Sequence, residues 1–297
     1  MSLLIYGTLI GMVYGSWAVS FSIIYRPVRI FHVMHAAVFT AAAYACWYIA
    51  TITGSLVAGI ATGLIAAVAL GVLSELLIYR PLIRLNVRHG LLFVTSLAAY
   101  IIIENLIQLV WQADTRITEG PLALEARFRL GGVGIGAIEI VEAVVALGLW
   151  LLTLALLRFS LFGKAIRAVS TAPDMAELAG IHVDTIRLVA FCYGSLLIGI
   201  SGILFLLKSG IEPASGLPVW IVAVVASLMS RADPFWSYVA GFVIGLCESV
   251  MLIWLPATWQ PTIPVLVLLG YLLFLAGKHQ AETMVARNHA KRAIKDA

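Results

Sequence analysis

Between His35 and Glu75 lie 39 consecutive residues without a charge, Ala36 to Ser74. A helix in a soluble domain keeps a polar face toward water, whereas one that is apolar all round belongs in a large core or in lipid. About 20 apolar residues cross the hydrocarbon layer of a bilayer. The run is therefore two crossings, and Thr53-Gly54-Ser55 near its middle is the natural hairpin. The rest of the chain has the same character. Of its 297 residues 62% are hydrophobic and 11% charged, against about 45–50% and about 25% in soluble domains. The expectation is an all-α polytopic membrane protein.

Nine apolar stretches mark the crossings: 3–25, 36–53, 55–78, 91–111, 140–157, 187–207, 217–230, 236–254 and 263–277. About eight or nine transmembrane helices follow. The seventh stretch is short for a full crossing and reads as a broken or re-entrant helix. The first carries no charge from Met1 to Tyr25 and no preceding basic region, so it reads as a retained span and not a cleaved signal. The organisation expected is one membrane domain over 1–277, with a long external loop (112–139), a long cytoplasmic loop (158–187) and a basic cytoplasmic tail (278–297).

Lysine and arginine set the orientation, because cytoplasmic loops are enriched in them. With the N-terminus outside and the C-terminus inside, 15 of the 19 basic residues fall in cytoplasmic segments. The excess of positive charge is thus a matter of topology and membrane lipid, and nothing in it points to nucleic acid. Cys46, Cys192 and Cys247 sit in separate apolar runs, which suits core residues and neither a disulfide framework nor a zinc site.

Small residues recur at four-residue spacing: Gly7, Gly11 and Gly15, then Gly59/Gly63 and Gly241/Gly245. Such stripes let helix backbones approach closely, and a backbone-lined solute path is the other reading. Tyr14-Gly15-Ser16 in the first span is echoed by Tyr193-Gly194-Ser195 in the sixth. The same offset lays the second to fourth spans over the seventh to ninth. With five spans between the copies, the repeat would be inverted, an arrangement common in transporters.

Enzyme chemistry has no foothold. There is no H-E-x-x-H, no G-x-S-x-G, and Phe162-Gly163-Lys164-Ala165 lacks the remainder of a phosphate-binding loop. The chain is expected to be a transport protein without an ATPase site, metal or cofactor of its own. His32 and His35 are close enough to share a helix face and read as packing or interfacial residues. Polar residues inside spans are costly and commonly functional. Glu104, Asn105 and Gln108 cluster in the fourth span, and Glu248 lies deep in the eighth. Together with His35 these are the candidate substrate path, either as a polar lining or as proton-coupling carboxylates. A neutral carboxyl fastening two helices is the alternative for both glutamates. Glu75 and Glu142 lie near span ends, where they are expected to reach interfacial water.

The loop from Arg158 to Arg187 is the most specific segment. Pro173 can open a helix, Asp174 and Glu177 favour its first turn, and Gly180 can close it. Phe162, Gly163, Ala165, Arg167, Ala168, Val169, Pro173, Ala176, Gly180, Ile181 and Val183 stand in the register F-G-x-A-x-R-A-V-x-x-x-P-x-x-A-x-x-x-G-I-x-V. This resembles the permease subunits of the branched-chain amino-acid family of ABC importers. Tyr79-Arg80-Pro81-Leu82 is similar to the family's Y-R-P-L, and the segment from His32 to Phe39 approximates its N-F-A-H-G-x-F. The family's glycine-rich loop before the eighth span is replaced by Met229-Ser-Arg-Ala-Asp-Pro-Phe-Trp-Ser, and its terminal R-P-x-G-L-F-G is missing. The resemblance implies a permease in a bacterial inner membrane, importing branched-chain or related amino acids. It implies a second permease subunit, two ATP-binding-cassette ATPases and an external solute-binding protein as partners. Gly163, Lys164, Arg167, Ala176, Glu177 and Gly180 would couple to the ATPase. The rival on the residues alone is a self-sufficient proton-coupled transporter working through Glu104 or Glu248.

Overall fold

The computed structural model describes residues 2–118, 127–130, 133–254, 256, 259, 262–271 and 273. The tail expected over 278–297 and the end of the ninth stretch lie outside the described residues. Among the described residues, seven helices are long and apolar enough to cross a membrane. They belong to α1 (Ser2–Val28), α2 (Met34–Thr53), α3 (Leu56–Leu73), α5 (His89–Trp111), α6 (Ala137–Phe159), α9 (Val183–Ser209) and α11 (Pro234–Met251). A π-helical turn (Ser74–Tyr79) joins α3 to α4 (Arg80–Arg84), so that Leu56–Arg84 forms one crossing. Between α6 and α9 lie α7 (Leu161–Thr171) and α8 (Pro173–Leu178). A 3-10 turn (Pro213–Ser215) leads into α10 (Gly216–Met229), and 263–271 is helical again. The connection between α5 and α6 contains a two-stranded antiparallel hairpin, β1 (Arg127–Leu130) and β2 (Val133–Gly136).

Local chemistry ends and starts these helices where the sequence changes character. Gly54, at φ 67°, closes α2 in the left-handed region where glycine carries no Cβ penalty. The Ser55 hydroxyl then accepts from the Ala58 N–H at 3.3 Å and opens α3. Asp233 does the same for α11, its Oδ1 accepting from the N–H groups of Phe235 and Trp236. Asp184 in the first turn of α9 and Lys208 in its last suit the helix dipole.

The seventh stretch is not re-entrant. Glu212 accepts from the Thr115 hydroxyl at one end of the molecule, and Asp233 pairs with Arg26 at the other. Pro213–Met229 therefore bridges the two ends, with the 3-10 turn supplying the length that α10 lacks.

α1 packs on α10 and α11, and α9 packs on α2 and α3; α1 and α9 also touch each other. The first helix of each half thus lies against the second and third helices of the other. That reciprocity is the packing expected of the repeat read from Tyr-Gly-Ser. The glycine stripes form its seams. A Cβ on Gly245 would fall 2.5 Å from the Gly11 Cα, and one on Gly11 would fall 2.6 Å from the Phe242 carbonyl oxygen. Gly63 faces the Ala42 carbonyl at the same 2.6 Å. α1, α2, α9 and α10 supply most of the buried core, while α3, α5 and α6 present Ile65, Leu109 and Val144 outward.

Replacing Gly245 with leucine should lower the melting temperature of the purified protein, since overpacking a tight seam costs about 1–3 kcal/mol. Gly148→Leu, where a Cβ meets open space, should leave it unchanged. Equal melting of the two variants would contradict the seam.

Candidate functional site

Two features stand apart from the packed core: a two-helix unit at one end, and a chain of buried polar groups leading inward beside it.

The two-helix unit begins at Ser160. Its hydroxyl accepts from the Gly163 N–H at 3.1 Å and starts α7. Gly163 is buried, and a Cβ there would meet the Leu157 carbonyl oxygen at 2.1 Å, so only glycine fits. Arg167 reaches back to donate to the same Leu157 carbonyl and pins α7 to the end of α6. Lys164 points to solvent. Pro173 opens α8 and Gly180, at φ 83°, turns the chain toward α9. Ala176 is buried in a small cluster with Val169 and Val183, so α8 is fastened to α7 and α9 through one methyl group. Glu177 and Gly180 are exposed. So are Met175 and Leu178, at 67% and 82%, which makes the outer surface of α8 apolar. These two were not singled out in the sequence. Their signal was a helix whose one small apolar residue packs inward, leaving its larger ones without a core.

α9 begins at Val183, four residues before the expected start of the span, so Asp184 and Arg187 lie in its first two turns. Asp184 collects three arginines: Arg84 at 2.9 Å, Arg80 at 3.8 Å and Arg187 at 3.9 Å. Arg80 also lies 3.7 Å from Glu75. Charge thereby ties the π-turn at the foot of α3 to the start of α9, directly after α8. π-turns are frequent at functional sites.

From there a hydrogen-bonded chain runs inward. The Tyr79 hydroxyl donates to Ser96 Oγ at 2.6 Å and lies 2.7 Å from His32 Nδ1. Ser96 Oγ also accepts from the Met34 N–H. The Trp220 indole donates to the His32 carbonyl at 2.8 Å, which brings in α10. His35, in the first turn of α2, pairs through Nε2 with Ser20 of α1 at 2.9 Å. His32 and His35 sit with ring centroids 5.6 Å apart. Each is held by a different helix, so the pair is a junction between α1, α2, α3, α5 and α10.

The other expected path residues are not gathered around this junction. Glu104 is half-buried, while Asn105 and Gln108 are exposed on the outer face of α5; the Asn105 amide donates to the Ile101 carbonyl of its own helix. Glu248 is fully buried in α11, which packs on α1, whereas α5 packs on α2. The expectation for Glu75 and Glu142 is overturned. Both are buried, Glu75 beside Arg80 and Glu142 at 3.1 Å from Lys208. Each lies near a span end, but basic side chains, not water, meet the carboxylate.

At the end opposite α7 and α8, a cavity of about 380 Å³ opens between α1, α9 and α10. Tyr14, Trp17, Phe205 and Val219 give it apolar walls, and Glu212 and Ser215 are its polar groups.

A helical membrane core of two reciprocally packed halves, with a small helical unit standing out at one end, has the build of a multi-pass permease. The chain belongs to the family described as branched-chain amino acid transport system / permease component, whose model matches residues 3–276. It is 24% identical over 294 residues to the high-affinity branched-chain amino acid transport system permease protein LivH of Escherichia coli (strain K12), covering 91% of each chain. It is 27% identical over 199 residues to the autoinducer 2 import system permease protein LsrC of Klebsiella pneumoniae, covering 64% of this chain and 55% of that one. Among solved structures it is similar to PsaBC from Streptococcus pneumoniae in complex with Fab, at 13% identity and a TM-score of 0.47 over 92% of this chain and 91% of that one.

Burial, reinforced by the neighbouring His35 ring, holds the His32 imidazole well below its ordinary value of 6.5. The unfolded chain therefore takes up a proton in acid that the folded chain refuses. The stability tied to neutral His32 is present above about pH 6.5 and lost as the pH falls below it. Thermal melts between pH 7.5 and 5 should show a decline in the wild type and a shallower one in His32→Asn. Parallel declines would rule out His32 as a contributor.

Proposed function

We propose that the chain is one of two membrane-spanning subunits of an ATP-driven importer for amino acids with apolar side chains, working with two separate ATPase subunits and an external binding protein. The observation that carries this reading is the outer surface of α8. Met175 and Leu178 are exposed beside Glu177 on a helix that is fastened to α7 and α9 through Ala176. An apolar helix face held on rigid neighbours suits insertion into a groove of a soluble partner. Family membership supports an ATPase as that partner. The charge distribution favours placing this end in the cytoplasm, since Arg26, Arg29, Arg80, Arg84, Arg88 and Arg187 lie around it and the N-terminus is then outside.

Movement of α8 would reach the core by two routes. Ala176 lies against the start of α9, and Asp184 in that start binds Arg80 and Arg84. A push on α8 thus bears on the foot of α3 and, through Tyr79, on the His32 junction. Gly163 and Arg167 fix α7 against α6, so the unit moves as one body and does not flex at its base.

On α5, Asn105 and Gln108 stand outward beside half-buried Glu104. Polar side chains facing lipid at that depth are costly, so this face fits a second permease subunit, with a solute path between the two. For the substrate, the opposite-end cavity supports a zwitterion with an apolar side chain. Glu212 suits an ammonium group, and Tyr14, Trp17 and Phe205 suit an aliphatic chain.

Leu178→Glu should leave membrane insertion and melting unchanged, because Leu178 is exposed. It should weaken association with the ATPase by about 2 kcal/mol or more, roughly thirtyfold, and suppress uptake with it. Co-purification of the ATPase on the tagged permease measures this. Undiminished recovery and uptake with Leu178→Glu and Met175→Glu combined would remove α8 from the coupling role.

A further inference from the structure

The end of the molecule that carries α7 and α8 holds another cavity, of about 400 Å³. Its walls come from the ends of three crossings. Val28 closes α1, Ile83 lies in the last turn of the Leu56–Arg84 crossing, and His89 opens α5. The cavity therefore sits where spans meet the headgroup layer. Val28, Ile30 and Leu92 form a buried apolar floor, and Arg88, His89 and Arg187 are the charged or titratable residues that line it. Among the described residues, no carboxylate does.

We propose that this cavity binds the phosphate-bearing headgroup of an anionic phospholipid, with the upper part of an acyl chain on the apolar floor. Three separate observations converge on an anion. Arg187 lines the cavity with its Nε buried and without a hydrogen-bond partner. Asp184, 3.9 Å away, is shared with Arg80 and Arg84, and Glu75 is shared with Arg80, so three arginines face two carboxylates and an excess of positive charge remains. The 23-residue helix α5 starts at the rim, with Arg88 at the capping position and no side chain accepting from its first turn. The Leu91 and Leu92 N–H groups turn back to the Arg88 carbonyl, and the uncapped positive end of the helix dipole ahead of them favours an oxyanion. The apolar half of the cavity selects a lipid over a free anion, since a dissolved phosphate has nothing to bury against Val28, Ile30 and Leu92. Basic pockets between helices at this level are suited to anionic headgroups.

A lipid in this place would touch the start of α5, the foot of the third crossing and the first turns of α9. On the coupling role proposed above, these are the segments that would receive the motion of α8, so occupancy would brace the Asp184–arginine joint between α9 and the third crossing.

The test is native mass spectrometry of the purified full-length protein exchanged into detergent with phosphatidylglycerol or phosphatidylcholine, with and without inorganic phosphate. Phosphatidylglycerol should be retained in preference to phosphatidylcholine, and phosphate should not displace it. Arg88→Gln and Arg187→Gln should each weaken retention about fivefold, while Arg231→Gln, a charge control outside the cavity, should not. Equal retention of the two lipids by the wild type overturns the proposal without any variant. So does undiminished retention by the double variant Arg88→Gln, Arg187→Gln, and so does displacement by phosphate, which would make this a site for a free anion.

Discussion

Helices in lipid have no hydrophobic reason to prefer one another over the acyl chains around them, so close packing must hold them together. Here that packing depends on backbone meeting backbone. Gly11 and Gly245 bring α1 and α11 close enough that a single added methyl group would clash, and Gly59 and Gly63 do the same for α2 and α3. Gly199 against Ala67 joins α3 to α9 across the two halves. Each half is therefore completed by the other, and neither could keep its arrangement if the seams opened. A rigid pair of halves is also what lets a small displacement at one end be felt at a distance.

Polar groups follow the same economy. Buried charges need partners, and two buried glutamates find theirs near where the crossings end. Glu142 meets Lys208 between α6 and α9, and Glu75 meets Arg80 at the π-turn. The His32–Tyr79–Ser96 chain, with the Met34, Trp220 and His35–Ser20 bonds beside it, links five helices, where apolar contacts alone would specify no register. Because Asp184 binds arginines from the foot of the third crossing within two turns of α8, the α7–α8 unit and the core share one electrostatic joint.

Much of this was legible in the sequence. The hairpin at Gly54, the start of α8 at Pro173 and the turn after it at Gly180 follow from local rules about glycine and proline, which tertiary packing did not override. The glycine stripes announced the seams because only close approach requires them. Other features depend on partners far along the chain. Glu75 lies near the end of a span, which suggested water; Arg80 and the π-turn bury it. The early start of α9 was hidden because Asp184 and Arg187 look like loop charges until Arg80 and Arg84 arrive from a hundred residues away. The seventh stretch was short by hydropathy alone, and the polar turn from Pro213 made up its length. Glu104 and Glu248 both sit mid-span, yet one stands half-exposed on the rim and the other lies wholly buried, a difference set by which helix face meets a neighbour.

The central claim is that this chain moves its substrate only under the drive of a separate ATPase. Uptake of a labelled aliphatic amino acid into proteoliposomes tests it most directly, comparing the chain alone under an imposed pH gradient with the chain joined by its second permease, ATPases, binding protein and ATP. Uptake confined to the complete, ATP-supplied assembly is the predicted result. Uptake by the chain alone, driven by the proton gradient and lost in Glu104→Gln or Glu248→Gln, would contradict it.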